Sequence, residues 1–216
     1  MLATASVKSA IHWISAGLEV PAIIVLILFV AIVAVELGSL AAEAILRVRR
    51  GRVDVKGIVK GLKGQAPAET RAVLQNTAFP AAQKKAFAEI LENKGCTQNT
   101  AHSLAVRLLA VEEGRCQKIV TVTDVISRIG PLFGLMATLI PLGPGLIALG
   151  QGDTKTLSDS LLTAFDATVA GLAAAGVAFV ISRIRKRWYE DGLVTMETVL
   201  EAMLEEYFPE ERRQPC

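Results

Sequence analysis

Ile129-Gly-Pro-Leu-Phe-Gly-Leu-Met-Ala-Thr-Leu-Ile-Pro-Leu-Gly-Pro-Gly-Leu-Ile-Ala-Leu-Gly-Gln-Gly152 runs its whole length without a charged residue. A bilayer core of roughly 30 Å is crossed by about 20 apolar residues wound as helix, so this stretch is long enough to span one. Val20 to Val35 is equally free of charge, and Ser160 to Ser182 is broken only by Asp166. Three such stretches in 216 residues predict an all-α integral membrane protein with three transmembrane helices. A plain anchor would use leucine throughout. Here the second stretch holds Thr138, Pro141 and Pro144, and the third holds Thr163, Asp166 and Thr168. An ionisable group at membrane depth is costly unless it faces a bundle interior or water, which directs attention to the second and third spans.

Charge placement sets an expected topology. Net charge is only +2, but Arg47, Arg49, Arg50, Arg52, Lys56, Lys60 and Lys63 follow the first span, and Arg183, Arg185, Lys186 and Arg187 follow the third. The tail before the first span offers Lys8 alone, and the loop from Gln151 to Leu157 only Lys155. Basic residues stay on the cytoplasmic side, so the expected protein is a multi-pass cytoplasmic-membrane protein with its N-terminus outside and its C-terminus in the cytoplasm. Juxtamembrane Lys and Arg beside anionic lipid account for the basic runs better than nucleic acid does. The three cysteines, Cys96, Cys116 and Cys216, match no zinc spacing and fall in a compartment that keeps thiols reduced.

The expected organisation follows. Residues 1–17 form an external interfacial segment with Trp13 at the membrane surface. A first transmembrane helix and its cytoplasmic extension occupy 18–50, with Pro21 in the first turn. A cytoplasmic helical insert covers 51–118, punctuated early by Gly51, Gly57, Gly61, Gly64 and Pro67, then helical over 68–76, 81–93 and 99–119. The second transmembrane helix takes 119–150 and an external turn 151–156, with Ser158 or Asp159 capping the next helix. The third transmembrane helix and its long cytoplasmic extension run over 157–208, and Pro209 opens a disordered tail, 209–216.

Gly130 and Gly134 form a GxxxG pair, and Ala167, Gly171 and Ala175 form a ridge of small residues at four-residue spacing; both permit close helix approach. Pro141 and Pro144 remove intrahelical hydrogen bonds, free the carbonyls of Ala137 and Ile140, and predict a kink. Thr138, beside that weakened turn, has two readings: a hydroxyl bonded to its own backbone, or one that lines a wet path. Asp166, one to two turns from the outer surface, is open to three: a proton-handling carboxylate, a structural partner of Thr163 or another subunit, or a vestibule charge. Glu36 marks either the end of the first span or part of an ion path. No HExxH, CxxC or phosphate-binding glycine loop occurs, so neither catalysis nor a cofactor is expected.

Ile129-Gly-Pro-Leu-Phe-Gly-Leu-Met-Ala-Thr138 resembles the second-helix signature of the ExbB, TolQ and MotA proton-channel family, and Ala164-Phe-Asp-Ala-Thr-Val-Ala-Gly-Leu172 is similar to its third-helix motif. The three-span, N-out arrangement looks like the ExbB/TolQ type. Ala137 in place of the usual glycine, and Pro141 and Pro144 after it, depart from the pattern. The resemblance implies that Thr138 and Thr168 match the family's pore-lining threonines. It also implies a homopentameric ring around the helices of two single-span partners of the ExbD/TolR/MotB kind, whose own aspartate carries the transported proton. Hydroxyls alone do not distinguish proton from sodium. The expected function is a proton-channel subunit of a membrane motor that converts proton motive force into mechanical work. The alternatives are a non-conducting scaffold of the same fold and a small transporter.

Overall fold

A computed structural model describes residues 2–50, 54–62, 64, 66–93 and 95–209. Its regular elements are α1 (Leu2–Arg50), α2 (Val55–Leu62), α3 (Pro67–Asn76), α4 (Ala81–Glu92), α5 (Gln98–Gly150) and α6 (Thr154–Tyr207), all helical among the described residues. Three of them, over Gly17–Arg49, Gln98–Gly150 and Thr154–Tyr207, contain windows long and apolar enough to cross a bilayer, with mean hydropathy 3.0, 1.9 and 1.9. The chain divides into two compact units: an apolar one from Met1–Ala41 and Val120–Ile184, and a polar one from Ala42–Ile119 and Arg185–Cys216. Helices α1, α5 and α6 contribute to both.

In the apolar unit, α1 buries Ala22, Leu26, Phe29 and Val33, a stripe at helical spacing. Phe29 meets Phe133 of α5 edge to face, with ring centroids 5.5 Å apart at 83°, the preferred aromatic geometry. The opposite faces carry Ile24, Ile27 and Leu28 on α1, Leu132, Leu135 and Leu139 on α5, and Leu162, Phe165 and Val169 on α6, all exposed. So much large apolar surface suits lipid or another apolar partner and not water.

The polar unit is built on the end of α6. Met196, Val199 and Met203 are completely buried there among Phe87, Ile90 and Leu62, and Phe79 stacks edge-on to Phe87 at 5.1 Å. Polar ties reinforce the packing. Thr70 Oγ1 and Tyr207 Oη share a hydrogen bond, the Gly64 N–H donates to Glu206 Oε1 at 2.9 Å, and Gln83 Nε2 donates to the Gly192 carbonyl at 3.4 Å. The insert therefore shares one core with the helix extensions: a helical stripe of its own cannot be buried without a partner.

Three expectations change. The first helix starts at Leu2, not near residue 18, because no breaker occurs before Gly17. Pro21 then lies inside the helix, where it removes only the bond to the Gly17 carbonyl. The glycine-punctuated segment contains α2: Asp54 Oδ1 accepts from the Gly57 N–H at 3.1 Å, and Ile58 and Leu62, four apart, enter the core. The cap of α6 is Asp153, not Ser158 or Asp159. Its carboxylate accepts from the Thr156 N–H at 3.1 Å and from the Thr156 hydroxyl, after a turn that Gly152 makes at φ 83°. As expected of the second span, α5 is helical through Pro131, Pro141 and Pro144 alike. The end of α6 at Tyr207 is followed by Pro209, while residues 210–216 of the predicted tail lie outside the described residues.

Candidate functional site: the α5–α6 seam

Two antiparallel helices approach closest where neither has side chains. A methyl group built on Gly130 would stand 3.1 Å from the Ala175 methyl and 3.4 Å from the Gly171 carbonyl oxygen. One built on Gly134 would stand 3.5 Å from the Gly171 Cα and 3.7 Å from the Ala167 and Thr168 carbonyl oxygens. One on Gly171 would meet the Gly134 Cα at 2.9 Å and the Gly130 oxygen at 3.1 Å. The GxxxG pair of α5 thus faces Ala167, Gly171 and Ala175 of α6, backbone against backbone, the geometry in which Cα–H groups contact carbonyl oxygens. Farther along, Gly145 continues the seam against Ser160 and Leu157.

The seam fixes the level of two hydroxyls. Thr168 presents its own carbonyl to Gly134, and Thr138 is one helical turn beyond Gly134. The Thr138 hydroxyl donates to the Leu135 carbonyl at 2.7 Å, and that of Thr168 donates to the Ala164 carbonyl at 3.0 Å. Each hydroxyl proton is engaged with its own helix, which leaves each oxygen its capacity as an acceptor. The Thr138 bond goes to Leu135, not to the carbonyls of Ala137 or Ile140 that the prolines free. Pro141 is buried and Pro144 exposed.

Asp166 and Thr163 are exposed, and the Thr163 hydroxyl donates to the Asp159 carbonyl at 3.0 Å; neither side chain enters the seam. Glu36, on α1, accepts from Ser39 Oγ at 3.2 Å through Oε2, while the same hydroxyl lies 2.9 Å from the Glu36 carbonyl oxygen. On α5, the Asp124 carboxylate pairs with Arg128 at 2.9 Å one turn away.

In the polar unit a second polar group joins α1 to α6. Arg185, almost wholly buried, places Nε 3.7 Å from Glu43 Oε2, and Tyr189 Oη donates to the same oxygen at 3.3 Å. Arg47 donates to the Trp188 carbonyl at 3.0 Å and lies over the Trp188 ring at 5.0 Å. Burial, and then the negative charge of Glu43, push the Tyr189 phenol up to about 12. Burial followed by Glu112 raises the thiol of Cys116 as well. Sequence reasoning treated Arg185 as one of four interfacial cations; only its four-residue spacing to Tyr189 hinted otherwise.

Compared with known proteins, residues 72–198 match the model of the MotA/TolQ/ExbB proton channel family, over more than half of the chain and across the whole seam. No curated protein matches the chain.

Proposed function

This chain belongs to the MotA/TolQ/ExbB proton channel family, and on that premise we propose that it is the channel subunit of a membrane motor, with Thr138 and Thr168 lining the ion path. The family is one of proton channels and not an enzyme class, and the three apolar helices fit a multi-pass membrane protein. In our reading the N-terminus and the 151–156 turn lie outside and the polar unit lies in the cytoplasm, as the placement of Lys and Arg favours. Five copies close a ring around a dimer of single-span ExbD/TolR/MotB-like helices, whose carboxylate shuttles the proton.

The observation that carries this reading is the glycine seam, which holds two half-buried threonines within about a turn of one level. One chain has too few polar groups to replace the hydration of an ion. Repeated around a closed ring, the same pair makes a belt of hydroxyl oxygens against a central carboxylate. A proton crossing a 100 mV potential releases about 2.3 kcal/mol, which alternate protonation of that carboxylate would convert to rotation. Glu36, Thr163 and Asp166 are secondary candidates for the path.

The test is proton flux in proteoliposomes holding the chain with its partner. Thr168→Ala and Thr138→Ala should each lower flux severalfold while the ring keeps its mass. Unchanged flux in both variants would refute the pore assignment. Replacing the proton gradient with a sodium gradient identifies the ion. A second reading, a scaffold that does not conduct, draws on the engagement of both hydroxyl protons within their own helices; absence of flux in the unaltered complex would favour it.

A further inference from the structure

Two exposed stripes in the polar unit match each other in charge and spacing. On α5, Arg107, Val111, Arg115 and Lys118 follow one another at steps of four, four and three residues, and all are exposed. On α6, Glu190, Val194, Glu197, Glu201 and Glu205 follow at steps of four, three, four and four, and all are likewise exposed. Each stripe is therefore one helix flank. One is basic and the other acidic, and each carries a single bare valine: Val111 is 63% and Val194 62% exposed.

The two stripes run in opposite chain directions, and their spacings coincide when the valines are apposed. Arg107 and Arg115 are about 12 Å apart along α5, and Glu190 and Glu197 about 10.5 Å apart along α6, at 1.5 Å per residue. With Val111 against Val194, Arg115 falls opposite Glu190 and Arg107 opposite Glu197, while Lys118 comes level with Arg187 at one end and Glu201 and Glu205 extend past the basic residues at the other. The pairs these residues make within the chain are long: Arg115 to a half-buried Glu112 at 3.7 Å, and Glu190 to Lys186, both exposed, at 3.9 Å. Such pairs are weak and readily exchanged.

We infer that the basic α5 stripe of one copy docks on the acidic α6 stripe of the next, with the Val111–Val194 contact at its centre. The occupant is a second copy of this chain, because two basic residues of one stripe and two acidic residues of the other fall in register around the two bare valines. The two patches differ, so the contact is head to tail; it closes as a ring or continues as a filament. This inference rests on the ring reading above and adds the residues that join its subunits outside the membrane.

The test uses the full chain in detergent, with Cys96, Cys116 and Cys216 replaced by serine. Val111→Cys combined with Val194→Cys should give, on oxidation, a ladder of covalently linked chains, while either cysteine alone leaves monomers on a denaturing gel. Reversing one face (Arg107→Glu with Arg115→Glu, or Glu190→Arg with Glu197→Arg) should raise the concentration needed for assembly about tenfold, and reversing both faces together should restore it. No ladder, or single-face reversals without effect, in a protein whose native mass is still that of several copies would overturn this interface and leave the ring. A native mass of one chain would overturn both.

Discussion

Gly171 lies where any side chain would strike the Gly134 backbone, since its Cβ would stand 2.9 Å from that Cα. Gly171→Val should therefore force α5 and α6 apart and destabilise the protein by about 1–3 kcal/mol, seen as a lower thermal midpoint in detergent. Gly176→Ala, where nothing lies within 4 Å, is the matched control and should change little. Tyr189 offers a residue-scale prediction in pH. Its folded phenol titrates near 12 against 10.0 for the free group, so the stability it contributes is complete below pH 10 and is lost as pH rises from there toward 12. Ultraviolet titration should show a late-ionising phenol, and Tyr189→Phe should remove that step. Glu43→Gln should move it downward only in part, because burial is the larger cause. The glycines of the seam could be read from their spacing, and the two threonines from the family resemblance. Arg185 could not, because burial of one arginine in a basic run depends on a carboxylate that α1 supplies from 142 positions earlier.

Helix periodicity announced most elements, and the exceptions have physical causes. Glycines at 57 and 61 hid α2, whose existence depends on the Asp54 contact and on a core that exists only when α6 is present. The start of α6 was misplaced because Ser158 and Asp159 are good capping residues, whereas the turn at Gly152 hands that role to Asp153. Asp153→Ala should fray the first turn of α6, read as faster amide exchange at 154–157 with no change near residue 200. Pro131, Pro141 and Pro144 all lie inside one continuous helix, α5. Within the polar unit, Met203→Ala should cost about 2–5 kcal/mol, because Met203 is completely buried in the core that α4 and α6 share; urea unfolding of the detergent-solubilised chain measures it.

For the molecule as a whole, the described residues give two units of opposite character: one covered in exposed leucine, isoleucine and valine, the other striped with charge. Both have faces that a single copy does not cover. The membrane class was legible from three apolar stretches, and the family from two short motifs, because both depend on local sequence. The central claim is that this chain works as a ring of copies around single-span partners. Native mass of the detergent-purified protein tests it most directly. The account predicts about five times the 23.0 kDa chain mass, increasing by about two chains when a single-span aspartate-bearing partner is added. A monomer or dimer that stays so with the partner present would leave Thr138 and Thr168 with no pore to line, and would contradict it.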